Sequence, residues 1–232
     1  MSRIVAIHQP NFLPWLGYFH KMNEADEFVL LDNVQFPKGS YANRVKIKNR
    51  QQQAVWLTVP VRLSDGSRQK YNEIEIAYDH QWQVDHANLL RDAYGQAPYF
   101  DQYFGDLMDL MTDRQYEHLA ALSTALIRHL KRLLGIITPL RLAAELPGPF
   151  GTGNERNLNI CRHLGADVYL SGQGARSYND EALFTSHGIE LRYQHFDHPQ
   201  YAQLHGEFIA KLSVIDLLFN CGPESRTILE RA

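Results

Sequence analysis

The chain has few of the features that mark disulfide-rich or nucleic-acid-binding proteins. Only two of its 232 residues are cysteines, Cys161 and Cys221, and they stand far apart without CxxC spacing. They predict reduced thiols rather than a disulfide framework. With 23 basic and 26 acidic side chains, the formal net charge is -3 at pH 7. Such a chain has no general positive field, so we expect no nucleic-acid partner.

Long apolar runs are also missing. No window approaches the roughly 18 apolar residues that a membrane-spanning helix needs. The apolar stretch at residues 4–7 is too short to be the core of a signal peptide. We therefore expect no membrane insertion and a cytoplasmic location. Internal repeats and low-complexity segments are absent from the sequence as well.

The chain does contain alternating strand and helix patterns, and 44% of its residues are hydrophobic. Buried strands are predicted at 3–8, 27–32, 71–77, 140–146, 167–170 and 189–196, with a hairpin at 43–50 and 54–61. Helices are predicted at about 14–23, 81–134, 154–164, 180–187 and 212–219. Strand–helix–strand units imply parallel pairs joined by right-handed crossovers. The pattern predicts an α/β fold with a mostly parallel, doubly wound sheet. We expect one domain over 1–232, with a helical insertion at about 81–135.

The first apolar strand stops abruptly at His8-Gln9-Pro10-Asn11. Polar groups at the carboxyl end of a buried strand are placed to hold a ligand over the edge of a parallel sheet. His8 could act as a general acid or base or donate to a phosphate, with Gln9 and Asn11 holding polar substrate groups. A loop that satisfies its own backbone is the alternative. We favour a site, because these residues follow the strand directly.

A segment rich in hydrogen-bond donors follows the second strand. Its donors within residues 38–48 are Lys38, Ser40, Asn43, Arg44, Lys46 and Lys48. Arginine as a planar fork and lysine as a point charge could clamp a phosphate or a carboxylate. Lysines on an edge strand are also typical of a protective, solvated surface. That second interpretation is preferred for Lys48 and stays open for Lys46.

Asp32 and Gln35 lie just after the second strand. An acid there could orient His8, bind a metal or contact a ribose. Capping of a turn explains the same residues, and both interpretations stay open.

A second bend occurs in the other half of the chain, at Ser171-Gly172-Gln173-Gly174, followed by Tyr178 and Asp180. The backbone N–H groups of such a turn, leading into a helix, suit an anion. A tight turn alone would also explain the two glycines. We include the bend in the candidate site because its predicted position faces the first loop.

Other candidates are scattered. His195, His198 and His205 with Cys221 do not have the spacing of a compact zinc site, so we expect no metal. His198 is kept as a candidate substrate contact, and Tyr18 as a ring that could stack on a sugar or a base. Asp216 lies within an apolar helix, where a buried carboxylate needs a partner, either Arg44 or a substrate amine.

Five segments together resemble the WbqC-like proteins, in the same order and over nearly the whole chain. They read IHQPNFLPWLGYFHKM, LLDNVQFPKGSYANR, LTVPV, GADVYLSGQGARSYND and LSVIDLLFNCG. Two departures are visible: Asn179 stands where the resemblance leads us to expect Leu, and Gly151-Thr152-Gly153 is richer in glycine than usual. The resemblance implies a role in making bacterial surface polysaccharide, notably O-antigen, and leaves the chemistry open.

The predicted architecture is also similar to the nucleotidylyltransferase and class I synthetase (HUP-like) arrangement. There a His-x-Gly-His segment after the first strand neutralises a triphosphate. Here Trp15-Leu16-Gly17-Tyr18 falls at the same place, with aromatic residues replacing both histidines. The retained glycine could allow a ligand to approach the backbone closely.

We therefore expect a transferase that adds an acyl, aminoacyl or amide-linked group to a small, anionic, nucleotide-linked sugar. His8 would move the proton, assisted by Asp32 or Asp180, and phosphate would lie against Lys38, Arg44 and the turn at Gly172. Two alternatives stay open. One is a non-catalytic protein that holds a nucleotide sugar or a partner enzyme of polysaccharide assembly, and the other is ATP-dependent activation. The sequence does not identify a cofactor.

Overall fold

A computed structural model describes residues 2–37, 39–64, 69–112 and 116–232. The strands are β1 (Ile4–His8), β2 (Glu27–Leu30), β3 (Arg44–Lys48), β4 (Ala54–Thr58), β5 (Val61–Arg62), β6 (Glu75–Ile76), β7 (Leu140–Leu142), β8 (Val168–Ser171) and β9 (Glu190–Tyr193). The helices are α1 (Leu16–Asn23), α2 (Trp82–Tyr94), α3 (Phe100–Thr112), α4 (Leu119–Leu133), α5 (Gly153–His163), α6 (Glu181–Thr185), α7 (Val214–Cys221) and α8 (Ser225–Glu230).

The central sheet has five strands in the order β7-β2-β1-β8-β9, all parallel. This confirms the predicted α/β fold with a doubly wound parallel sheet. From β1 the chain builds outward through β2 to β7 on one side. It then returns to place β8 and β9 on the other side. The order reverses between β1 and β8, and in such sheets ligands bind outside the carboxyl ends of the strands at that switch point.

Each face of the sheet carries its own hydrophobic core, because successive side chains of a strand point to opposite faces. Ala6, Phe28, Leu30 and Leu170 face α1, the helices α2–α4 and the C-terminal helices. Val5, Ile7, Val29 and Tyr169 face α5 and α6. By this alternation His8 belongs to the first of these two faces, with α1, and Ser171 to the second.

The segment 71–77 differs from the strand predicted for it. Tyr71–Glu73 forms a 3₁₀ turn, and only Glu75–Ile76 is strand. The Lys70 amide donates to Oε2 of Glu73 over 2.9 Å, which closes the turn. Tyr71 is fully buried, and its hydroxyl donates to the Ala42 carbonyl over 2.6 Å. The alternating sequence at 71–77 therefore corresponds to a turn anchored by Tyr71 and a two-residue strand, and the prediction of one continuous strand is wrong.

The predicted hairpin is confirmed, since β3 pairs antiparallel with β4 and Arg44 lies opposite Thr58. The predicted helical block divides into α2, α3 and α4. Gly135 follows α4 with φ +65°, and its amide donates to the Arg132 carbonyl as expected of a C-terminal cap. Within the described ranges, no helix has the length and apolarity needed to cross a membrane.

Candidate functional site

The switch point lies where β1 and β8 end. Pairing between the two strands runs from Ile4 with Val168 to Ala6 with Leu170. His8 and the Ser171–Gly172 bend therefore extend from neighbouring strands at the same edge. The structure thus brings together the two segments that the sequence singled out at strand ends, although their side chains point to opposite faces.

Lys21 of α1 reaches this switch point and was missed by the sequence reasoning. In a parallel strand, successive residues direct their backbone groups to alternate neighbours. The His8 carbonyl accepts from the Leu31 amide on the β2 side over 2.8 Å, so the Ile7 carbonyl points toward β8. Lys21 Nζ donates to that carbonyl over 3.1 Å. The amine therefore lies in the gap that opens between β1 and β8.

Burial changes the protonation of Lys21. The residue is only 2% exposed, and this burial lowers the pKa of its amine to about 7. Lysine is rarely buried so completely without a charged partner. Every residue of α1 from 16 to 22 is buried, which leaves the helix no exposed face for Lys21; this burial is visible only in the structure.

His8 is held by its neighbours rather than by a carboxylate. Its ring lies edge-on to the ring of Tyr18, with centroids 4.8 Å apart. Its Nδ1 lies 3.1 Å from the Gln9 carbonyl, which also accepts from the Tyr18 hydroxyl over 3.1 Å. Burial and the nearby Lys21 lower the pKa of His8 to about 3. His8 is therefore a neutral imidazole at physiological pH.

The loop after β1 is tied to the loop before β3. The Phe12 amide donates to the carbonyls of Tyr41 and Ala42 over 3.3 and 3.1 Å. The Tyr71 hydroxyl bonds both the Pro10 carbonyl and the Ala42 carbonyl. Two segments predicted to form one site are thus joined through backbone groups. Asn11 lies in the first of these loops and is 9% exposed.

The donor-rich segment mostly bonds locally. Ser40 Oγ donates to the Pro37 carbonyl over 2.8 Å, and Asn43 Nδ2 donates to the Val59 carbonyl over 2.9 Å. Arg44 donates to the Gly39 carbonyl, and its Nε is buried without a hydrogen-bond partner among the described residues. Lys38 lies outside the described residues. Their predicted substrate contacts stay predictions.

Arg44 and Lys46 also flank an exposed indole. The Arg44 guanidinium lies 4.4 Å and Lys46 Nζ 5.1 Å from the ring of Trp56. Tyr41 packs on the same ring at 5.6 Å. Cation–π contacts of this kind hold side chains at a surface.

The second bend is organised around Ser171, which is 2% exposed. Asn179 Nδ2 donates to Ser171 Oγ over 3.0 Å, and this contact uses the residue at which the chain departs from the expected Leu. Gly172 leads into a 3₁₀ turn at Gln173–Ala175. Tyr178 is 69% exposed. Asp180 caps α6, because its Oδ1 accepts from the Leu183 amide over 3.1 Å. Its carboxylate thus has a structural role, and the predicted catalytic role stays a prediction.

Gln194 connects the two sides of the switch point, the end of β8 and the start of α1. Its backbone amide donates to the Ser171 carbonyl over 2.8 Å. Its side-chain Nε2 donates to the Gly17 carbonyl over 2.8 Å and lies 2.9 Å from Nδ1 of His20. The residue is 7% exposed. It therefore fixes the start of α1 against the end of β8.

Gly17 has a local explanation. The indole of Trp15 lies on it so closely that an added Cβ would meet the ring at 2.3 Å. Trp15 in turn packs edge-on against Phe196 at 5.2 Å. The close approach expected of a ligand is therefore made by the chain's own aromatic side chain.

Asp216 lies in a buried network away from the strand ends. It accepts from Tyr94 over 2.9 Å, Tyr201 over 2.8 Å and Gln203 over 2.9 Å. Burial raises its pKa, although these hydrogen bonds and Lys48 act in the opposite direction. Lys48 Nζ donates to the Glu207 carbonyl, so the network anchors the segment before α7. Lys48 is only 1% exposed, so the solvated surface preferred for it from the sequence is wrong. The predicted partner Arg44 is not among these contacts.

His198 belongs to the same C-terminal segment. Its Nδ1 lies 3.0 Å from the Pro199 carbonyl, and its ring packs on Phe196 and Phe208. Burial lowers its pKa. A substrate contact for His198 stays a prediction, as it does for Asp216.

Asp32 lies at the end of β2 and is 5% exposed. Its Oδ1 accepts from the Ala144 amide over 2.9 Å, which fits the turn-capping interpretation. Burial raises its pKa, while the hydrogen bond from Ala144 acts against that change. Gln35 is exposed and forms an isolated bridge with Lys70. In the described part of the chain, no cluster of three or more His, Cys, Asp and Glu side chains could hold a metal ion.

A family model and one curated protein match this chain. The sequence model of the WbqC-like protein family matches residues 9–228. An uncharacterized protein of Mycobacterium tuberculosis, Rv1507c, is 35% identical over 223 residues, which cover 95% of each chain. No solved structure matches.

Proposed function

The chain belongs to the WbqC-like protein family, and from this premise we propose a cytoplasmic transferase of surface-polysaccharide (O-antigen) biosynthesis. It would transfer an acyl or aminoacyl group, forming an ester or amide, onto a nucleotide-linked sugar. The observation that carries the proposal is the buried amine of Lys21 in the gap between β1 and β8, beside His8.

The switch point supports binding of a nucleotide-linked substrate. Doubly wound sheets bind nucleotides in the crevice outside their strand ends. Here the ends of β1 and β8 place His8 and Gln9 next to the Ser171–Gly172 bend. Arg44, whose Nε has no hydrogen-bond partner among the described residues, would supply positive charge for a phosphate from the neighbouring loop.

Lys21 is better suited than His8 to accept the proton. General bases act best when their pKa lies near the working pH. The pKa of Lys21 is about 7, whereas that of His8 is about 3. The acceptor oxygen or nitrogen would bond to the carbonyl carbon of an activated acyl donor. The leaving group would depart with the electron pair of the broken bond, and the acceptor's proton would pass to Lys21. His8 would stay neutral and position polar substrate groups.

The test compares Lys21→Met with His8→Gln in the full chain. Binding of UDP-glucose, UDP-N-acetylglucosamine and free UDP would be measured by calorimetry. Transfer would be followed by mass spectrometry of the nucleotide sugars after incubation with acyl-CoA donors. We expect Lys21→Met to bind as the wild type does and to lose roughly a hundredfold or more in transfer rate, the usual scale for a general base. Exposed Lys211 supplies the control, as Lys211→Met. Unchanged transfer in Lys21→Met would contradict the proposal.

One observation favours a non-catalytic alternative. The pKa of His8 keeps it neutral, and its Nδ1 already faces the Gln9 carbonyl, as a purely binding residue would allow. A binding protein of this kind would hold a nucleotide sugar without turnover. It predicts that Lys21→Met supports glycan assembly in cells as well as the wild-type chain does.

A further inference from the structure

A cavity of about 480 Å³ opens at the same sheet edge as the switch point. It lies at the ends of β2 and β7, beyond β1. Its lining comes from the ends of β2 and β7, the 3₁₀ turn and one side of α4. The lining includes Asp32, Asn72, Ala120, Ala121, Ala125 and Arg128. Its volume falls in the range of small-molecule sites, roughly 300 to 1,000 Å³.

The inner wall of the cavity offers acceptors. Asp32 is buried, and among the described residues no ion pair includes it. The Asn72 amide donates to the Asp32 backbone carbonyl over 2.8 Å, which holds the two residues together. Asn72 Oδ1 is buried without a hydrogen-bond partner in the described ranges. Oδ1 of Asp32 accepts from the Ala144 amide, and a buried carboxylate without an ion pair is stabilised further by a cationic donor.

The other walls fit a compact carbon skeleton with an anionic end. Ala120, Ala121 and Ala125 leave space beside α4. Arg128 is exposed on the same helix, two turns beyond Ala121. A guanidinium at the rim favours a carboxylate or a phosphate. The cavity thus offers negative charge inside and positive charge outside.

We propose that this cavity binds a small molecule that carries a primary ammonium group and an anionic group. The ammonium would contact Asp32, and the anionic group would face Arg128. An aminosugar phosphate and an amino acid share this chemistry. A metal ion fits less well, because the described lining offers one carboxylate and no cluster of metal-ligating side chains.

The position of the cavity links it to the transfer reaction, and this part rests on the proposed function. β2 pairs with β1, and the His8 carbonyl accepts from Leu31, the residue before Asp32. Neighbouring strands lie only about 4.8 Å apart. The amine-bearing molecule would therefore lie beside the nucleotide-linked substrate.

Matched probes separate the two sources of the ammonium group. Calorimetry would compare glucosamine 1-phosphate with glucose 1-phosphate, and L-alanine with L-lactate. In each pair, only the first compound carries the ammonium group. We expect at least one amine to bind at least tenfold more tightly than its partner, since a charge-assisted hydrogen bond is lost in the partner. Equal affinity within both pairs, or no binding of either amine, would overturn the proposal.

Three variants locate the binding. Asp32→Asn keeps an acceptor for the Ala144 amide but removes the charge, so amine affinity should fall about tenfold or more. Ala121→Trp should fill the cavity and abolish binding. Arg128→Gln should weaken binding of the anionic end, whereas Arg162→Gln, exposed on α5, should have no effect. Near-UV circular dichroism checks folding. Unchanged amine binding in both Asp32→Asn and Ala121→Trp would refute the site.

The outcome is separable from that of the proposed function. If amines bind in the cavity but Lys21→Met leaves transfer unchanged, the site stands and the transferase mechanism fails. If Lys21→Met abolishes transfer but no amine binds, the mechanism stands and the amine site fails.

Discussion

At the residue scale, the buried side chains of Lys21, Lys48 and Asp216 differ in how their polar groups are satisfied. Lys48 and Asp216 lie in one network, where Tyr94, Tyr201 and Gln203 satisfy the carboxylate. Lys21 has one backbone acceptor, and no salt bridge of the described residues includes it. The first arrangement is typical of a structural anchor. The second leaves an amine free to take a proton, which is the more costly state and therefore the better functional candidate.

Asp216→Ala should destabilise the fold without changing the arrangement of residues at the switch point between β1 and β8. Three donors would lose their acceptor in a fully buried position, and each costs about 1 to 3 kcal/mol when left unsatisfied. We expect a loss of about 3 kcal/mol or more in the free energy of unfolding, measured by urea denaturation. Asp109→Asn, exposed on α3, is the control. A change below about 1 kcal/mol, the usual size of a surface effect, would contradict this prediction.

At the element scale, α1 is the helix that carries Lys21 to the switch point between β1 and β8. Every residue from Leu16 to Met22 is buried, because its residues pack on the sheet, the C-terminal segments and the loop of Gln194. Its start is set by Trp15, which pairs with Ser213 in an isolated bridge and covers Gly17. Trp15, which stands where the nucleotidylyltransferase-like segment has its first histidine, therefore shapes the start of α1.

Gly17→Ala should disturb the packing of Trp15 at the start of α1. The new Cβ would meet the Trp15 ring at 2.3 Å, so the indole must leave Phe196. Overpacking of this kind costs about 1 to 3 kcal/mol. We expect lower stability and a shifted near-UV dichroism spectrum. Gly105→Ala in α3 is a matched control, because a Cβ there meets nothing within 4 Å and should stabilise the helix by up to about 1 kcal/mol. Equal effects of the two substitutions would contradict the prediction.

At the scale of the whole molecule, the sheet order determines which polar residues meet. Residues 8 and 171 are far apart in sequence, yet β1 and β8 are neighbours. The helices α2–α4 are inserted between β6 and β7, and α4 forms one wall of the cavity beside Asp32. Both candidate sites thus depend on the path of the chain between strands.

Lys21 should also leave a mark on global stability. Its pKa is about 7 in the folded chain and 10.5 as the ordinary value. Below pH 7 both states hold the proton, and between 7 and 10.5 only the unfolded state does, so stability rises with pH there. The rise is at most about 1.4 kcal/mol per pH unit. Denaturation in urea from pH 6 to 9.5 should show a rise in the wild type relative to Lys21→Met. Parallel curves would exclude the lowered pKa.

The alternation of strand and helix patterns was sufficient to predict the parallel sheet, the hairpin and the strand ends at His8 and Ser171. The same patterns could not show that Tyr71 anchors a turn instead of a strand, because burial of one aromatic residue depends on distant carbonyls at Pro10 and Ala42. Nor could they show Asp180 as a helix cap with its carboxylate already engaged.

The sequence by itself determined the fold class and the family, because both depend on local periodicity and on ordered motifs along the chain. It also determined that polar groups follow buried strands. Only the tertiary structure decided that Lys21 reaches the gap between β1 and β8, that Gln194 spans it, and that Asp32 lines a cavity under α4. The physical reason is that burial and hydrogen-bond partners come from segments remote in sequence, and these set the pKa of an amine and the shape of a cavity.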